Sequence, residues 1–271
     1  MGREQRLTPI VATEQVLYLR SPAVARRAAL SFKAIAADIY WLRVVQYYGS
    51  TRLSNNAQRS YDLLYPLLDL TTSLDPQFTV AYRFGAFFLS EAPPGGPGRR
   101  DLARRLLDKA AAANPARWEY PYDIGFLYYR SADYEHAAEW FRRARAVKGS
   151  PSWLEPLAAV TLTAGGQTTA ARALWQQMLA SNEDEWIRGV AEFRLKQLDT
   201  IDFAKSVERA VAAYTRAHGS QPVDWNAMIR EGYLRSMPLD AAGHPLVLRA
   251  DGTVTVSQQS PMSPLPTEKA P

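Results

Sequence analysis

The run Gly125-Phe-Leu-Tyr128-Tyr-Arg-Ser-Ala-Asp-Tyr-Glu-His-Ala137-Ala-Glu-Trp-Phe141-Arg-Arg-Ala144 decides the fold, because its spacing returns farther along the chain. Counted from Gly125, the residues Tyr128, Ala137, Phe141 and Ala144 stand at +3, +12, +16 and +19. Thirty-four residues after Gly125 comes Ala159, followed at the same offsets by Leu162, Ala171, Trp175 and Met178. Toward the N-terminus, Gly85 is followed by Phe88 at +3 and then by Ala103, Leu107 and Ala110, each displaced by six residues. The stretch Ala92-Pro-Pro-Gly-Gly-Pro-Gly98 explains the displacement, since it cannot continue a helix and reads as a loop inserted between two helices. Asp101 is placed to cap the helix that follows.

The residue types carry a packing logic. A Gly or Ala in the first helix of a unit lets its partner approach closely, and small Ala137 and Ala144 flank bulky Phe141 so that knobs meet holes. One pair of helices buries only one side; stacking pairs makes a continuous core. Phe141 and Trp175 are therefore expected in that core.

This spacing resembles the tetratricopeptide repeat, a 34-residue helix-turn-helix unit, with the best repeats at 78–117, 118–151 and 152–185. The resemblance implies an all-α, right-handed α-solenoid over 23–218. Leu64, Leu68 and Thr71 fit the second helix of an earlier unit, whose first helix is expected over 24–48 with Ile35, Ile39, Leu42 and Val45 as its apolar stripe. The polar segment 49–57 is expected to connect them. Downstream, 185–198 and 202–217 are expected to form a further, degenerate pair that caps the array. Residues 1–22 form an N-terminal extension.

After Gly219 the pattern stops. Asp224 is placed to cap a short helix, Gly232 to end it, and Leu246 to Arg249 with Thr253 to Val256 around Asp251-Gly252 read as a hairpin. Gly232-Tyr-Leu-Arg-Ser-Met-Pro-Leu-Asp-Ala-Ala-Gly-His-Pro245 resembles the globular tail of type II secretion major pseudopilins. The hydrophobic N-terminal helix that builds a pseudopilus is missing from this chain, and Leu246 stands where those tails carry an aromatic residue. The appendage is expected over 219–256, and 257–271, with four prolines, is expected to be disordered.

Composition narrows the function classes. At 271 residues with 47% apolar and 22% charged content, the chain has room for one or two domains and a sizeable core. Without cysteine it has no disulfide framework, thiolate metal site or thiol nucleophile. The excess of 32 basic over 27 acidic residues is mild. The apolar stretch 28–48 is interrupted by Lys33, Asp38 and Arg43, so no membrane span is expected. The first 20 residues, with Arg3, Glu4, Arg6 and Glu14, show no secretory leader.

Chemical motifs are sparse. His136, His218 and His244 lack the spacing that puts two imidazoles on one helical face, and Gly95 to Gly98 lacks the Lys-Ser/Thr ending of a phosphate loop. Neither cofactor nor catalytic residue is therefore assigned. In the repeat-family geometry, first-helix side chains beside the packing positions project toward a concave groove. These are Tyr82, Arg83, Glu119, Tyr122, Asp123, Phe126, Tyr129, Arg130 and Trp153. Aromatic rings flanked by opposite charges suit a partner's peptide or helix. The resemblances together imply a non-catalytic adaptor in a secretion or pilus assembly, in the cytoplasm or at the envelope. Two alternatives remain open: a basic helical-repeat RNA binder, and an enzyme whose site draws on Asp224, Glu231, Asp240 and His244.

Overall fold

The computed structural model describes residues 22–29, 31–54, 59–181 and 184–266. The described residues are mostly helical, with eleven helices and one small hairpin, and they divide into two compact units. The first comprises residues up to 130 together with 143–150; the second comprises 131–142 and the residues from 151 onward.

The first unit contains α1 (Pro22–Ala28), α2 (Lys33–Leu53), α3 (Leu64–Leu74), α4 (Thr79–Ser90), α5 (Arg100–Ala113) and α6 (Glu119–Tyr129). Helix α3 is its centre, packed against α1, α2, α4 and α5. Seven of its 11 residues are buried, including Leu64, Leu67, Leu68 and Leu70. Its buried hydroxyls are satisfied locally, Thr71 and Thr72 donating at 2.8 Å to the carbonyls of Leu67 and Leu68. Pro66 is tolerated because it sits in the first turn, where an amide hydrogen has no helical partner.

Gly85 faces Leu68 of α3 and Leu106 of α5. A Cβ there would stand 3.0 Å from Leu106 Cδ2 and still closer to Leu68 Cδ2. Ala103, Leu107 and Ala110, the residues displaced by the loop, are all buried. That loop is held by polar contacts, with Arg59 donating to the Pro94 carbonyl at 2.7 Å and Tyr61 to that of Gly95 at 2.9 Å.

Helix α2 corrects the expected stripe. Its buried residues are Ala37, Tyr40, Val44 and Tyr48, whereas Ile35, Ile39, Leu42 and Val45 are exposed. The ring of Tyr48 stacks on Phe88 of α4 at 4.1 Å, and Trp41 lies parallel to the same ring at 6.2 Å. These rings fix the rotation of α2. The helix also continues to Leu53, through much of the expected connection. Of the extension placed at 1–22, residues 1–21 lie outside the described residues, and Pro22 opens α1.

The unit boundary falls within α7 (Tyr134–Arg145). The second unit adds α8 (Leu154–Ala164), α9 (Thr168–Ser181), α10 (Glu185–His218), α11 (Trp225–Arg230), β1 (Val247–Leu248) and β2 (Val254–Thr255). Phe141 and Trp175 are buried, as are Ala137, Ala144, Ala171 and Met178. Helix α10 packs against α9 and β2. It is continuous for 34 residues, not the expected pair. No glycine or proline interrupts 199–201, Thr200 returns its hydroxyl proton to the Lys196 carbonyl at 3.0 Å, and Arg172 of α9 binds both Asp199 and Asp202. Asp184 caps its start and Gly219, at φ 71°, its end.

The hairpin pairs Val247 with Thr255 and Leu248 with Val254 in antiparallel register. Residues 257–266 depart from the expected disorder. Met262 and Leu265 are buried, and the buried amide of Gln197 donates to the carbonyls of Met262 at 2.9 Å and Pro264 at 3.2 Å. Prolines lower the cost of ordering this segment, and two apolar anchors with a matched donor hold it. Residues 267–271 lie outside the described residues.

Two variants test this packing. Gly85→Leu lowers stability by about 1–3 kcal/mol or more in urea denaturation despite the better helix propensity of leucine; an unchanged midpoint contradicts the close approach. Truncation after Val256 uncovers the surface that Met262 and Leu265 seal and lowers stability by about 2 kcal/mol or more. A truncated chain as stable as the full one contradicts the docked tail.

Candidate functional site

Helices α4 and α6 are neighbours in the first unit. Because Gly85 and Ala86 turn inward, Arg83, Phe84 and Phe87 of α4 are carried toward the surface. On α6, Ile124 and Gly125 are buried, which turns Asp123, Phe126, Tyr129 and the following Arg130 the other way.

Arg83 and Asp123 meet in a bidentate pair, Nε donating to Oδ2 at 2.6 Å and Nη2 to Oδ1 at 3.0 Å. The Asp123 side chain retains 18% of its exposure and that of Arg83 38%. Burial pushes the Asp123 carboxyl upward and is the largest influence on it, opposed by the adjacent guanidinium. The hydrogen bond to Asp123 in turn raises Arg83. The pair therefore serves as a fixed, partly desolvated bridge between two helices.

Apolar rings flank the bridge. Phe87 and Phe126 are exposed beside it, with exposed Tyr129 near-parallel to Phe126 at 6.3 Å, while Phe84, also exposed, lies 6.4 Å from Phe88 on the side of α4 that meets α2. The Arg130 guanidinium lies over the Phe87 ring, 5.7 Å from its centroid. Arg83, Phe87, Tyr122, Asp123, Phe126 and Arg130 line a shallow pocket of about 220 Å³. Five of these six were expected on the groove.

The remaining expected residues behave differently. Tyr82 is a correction: it is fully buried, packed edge-on against Tyr120 at 5.8 Å, with its hydroxyl donating to the Thr72 carbonyl and burial pushing its pKa up to about 12. One residue along a helix turns a side chain by about 100°, enough to exchange core for surface. Glu119, at the start of α6, lies 3.6 Å from Arg117. Trp153 belongs to the second unit, where it precedes α8 and is exposed. Phe84 and Phe87 were missed, although a glycine facing the core between two phenylalanines is the sequence sign that both rings point elsewhere.

Of the candidate polar residues near the C-terminus, Asp224, Glu231 and Asp240 have structural partners, whereas the Nδ1 of His244 is buried without a hydrogen-bond partner. Asp224 caps α11, accepting from the Ala227 amide at 2.8 Å. Glu231 pairs with His218 at 2.6 Å. Asp240 is buried, which alone would raise its pKa; the Ser260 hydroxyl and the amides of His244 and Ala242 outweigh this and hold it below the usual carboxylate range. His136 is held above the ordinary imidazole value by Asp133, 2.9 Å away on the surface. Among the described residues no cluster of three or more His, Asp or Glu is gathered as a metal site, and no helix is long and apolar enough to cross a membrane. Comparison with known proteins yields no match to a family model, a curated protein or a solved structure.

Arg83→Met leaves Asp123 mostly buried without its cation. Breaking a fully buried pair costs about 3–5 kcal/mol, and partial exposure reduces the expected loss here to about 1–2 kcal/mol. Adding Asp123→Leu recovers part of it. Chemical denaturation of the single and double variants checks this; a single variant as stable as the wild type contradicts the bridging role.

Proposed function

We propose that the chain is a non-catalytic interaction scaffold that receives a peptide or helix of a partner on the face formed by α4 and α6. The observation that carries this reading is a shallow apolar pocket lined by the exposed rings of Phe87 and Phe126 beside a preformed ion pair, with exposed Tyr129 stacked near Phe126. Rigid rings desolvate at low entropic cost, and a fixed charge pair orients what lies across it without itself having to be ordered. The pocket, at about 220 Å³, is smaller than the usual small-molecule site and suits a single anchoring side chain.

The right-handed, tetratricopeptide-like solenoid is part of the proposal. It is supported by the burial of the +12, +16 and +19 residues or their shifted equivalents in all three best repeats, and by the packing of α4 on α5 and of α8 on α9. The likeness of residues 232–245 to pseudopilin tails supports placing the scaffold in a secretion or pilus assembly. RNA binding draws less support, because Arg99, Arg104 and Arg172 are each engaged by carboxylates of this chain.

Peptides selected by display on the full chain test the reading. Phe87→Ala with Phe126→Ala should weaken their binding at least about tenfold while leaving circular dichroism intact, since buried aromatic anchors dominate such interfaces. Selected peptides that bind the double variant equally well would contradict it.

A further inference from the structure

Helix α2 carries two apolar faces. The first, with Ala37, Tyr40, Val44 and Tyr48, is buried. The opposite one is exposed: Ile35 is 57%, Ile39 48%, Leu42 59% and Leu53 82% accessible, and Phe32 at the N-cap is 68% accessible. Large apolar residues aligned in water over the first half of a helix, and again at its end, need an occupant.

Their spacing identifies its geometry. Phe32, Ile35, Ile39, Leu42, Gln46, Gly49 and Leu53 follow one another at alternating steps of three and four. That is the 3.5-residue period of a two-helix supercoil seam, in which another helix packs knobs into holes. Assigning Ile39 to position a and Leu42 to position d places Asp38 at g and Arg43 at e, on opposite flanks of the seam. Arg43 is steadied over the ring of Tyr40, 5.3 Å from its centroid.

We infer that this face binds the same face of a second copy of the chain, the two α2 helices running parallel and in register about a two-fold axis. The charges favour that occupant and that direction. Across a parallel seam a g residue meets the e residue five positions later on the partner helix, so Asp38 of each copy meets Arg43 of the other, twice by symmetry. Gln46 at position a supports the same register: in a parallel pair it lies opposite its own copy, where two amides satisfy each other. An antiparallel pairing that opposes Ile39 to Leu42 would instead set Gln46 against Ile35 and bury an amide without a partner. The inference uses α2 alone and is independent of the face on α4 and α6.

Sedimentation equilibrium of the full chain tests it. The wild type associates to a dimer in the micromolar range, and Ile39→Glu, an exposed substitution, weakens association at least about tenfold without changing circular dichroism. Asp38→Arg and Arg43→Asp each weaken the dimer, and the two together restore it. Because the chain has no cysteine, Gln46→Cys gives a clean second readout: mild oxidation should link it to its own copy. A wild type that stays monomeric to about 100 μM overturns the inference, as does a dimer indifferent to Ile39→Glu. A monomer that dimerises only after deletion of residues 1–21 overturns it by making that segment the occupant. Preferential linkage of Ile35→Cys to Gln46→Cys, with no linkage between two copies of Gln46→Cys, overturns the parallel arrangement.

Discussion

The absence of a side chain at Gly85 sets much of the first unit. With no Cβ on that side of α4, Leu68 of α3 and Leu106 of α5 close over its backbone, and α4 is seated among the helices around it. This contact also fixes the rotation of α4 about its axis. Phe88 is thereby aimed at Tyr48 and Trp41, while Phe84, Phe87 and Arg83 face outward or toward α6. One packing constraint thus establishes both a core and a surface, and the surface is where binding is proposed.

The sequence reports such constraints unevenly. Small-large-small triplets such as Ala137, Phe141 and Ala144 identify buried positions because each volume is matched to a neighbour of complementary size, and all three are buried. The stripe of α2 is ambiguous in the sequence for a different reason. That helix is apolar on both sides, so periodicity alone gives two solutions, and the larger aliphatics look more core-like than alanine and tyrosine. The choice is made by the single Phe88 ring of α4, which stacks on both Tyr48 and Trp41, a tertiary effect that local pattern cannot contain. The continuity of α10 was likewise hidden. The reading as a repeat demanded a turn where no residue near 199–201 breaks a helix, and Arg172 secures that stretch from α9.

Site residues followed the same division. Arg83, Tyr122, Asp123, Phe126 and Arg130 were legible because helical phase puts them beside the packing positions, and the structure gathers them around one pocket. Tyr82 failed by one residue of phase and lies wholly in the core. The tail shows the converse limit. Proline content argues for disorder, yet Met262 and Leu265 are seated and Gln197 on α10 donates to the carbonyls of Met262 and Pro264. A segment of low apolar content is ordered when its few apolar residues meet a prepared surface.

The central claim is that α4 has one side committed to the core and another presented to a partner. Thiol accessibility along that helix tests it directly, since the chain contains no native cysteine. Single cysteines at Phe84 and Phe87 should react with a maleimide at rates close to those of an unfolded peptide. Cysteines at Ala81 and Ala86 should be slower by about two orders of magnitude, the protection expected when reaction requires local opening. Equal rates at all four positions, or fast reaction at Ala81 and Ala86 with protection at Phe84 and Phe87, would contradict the account.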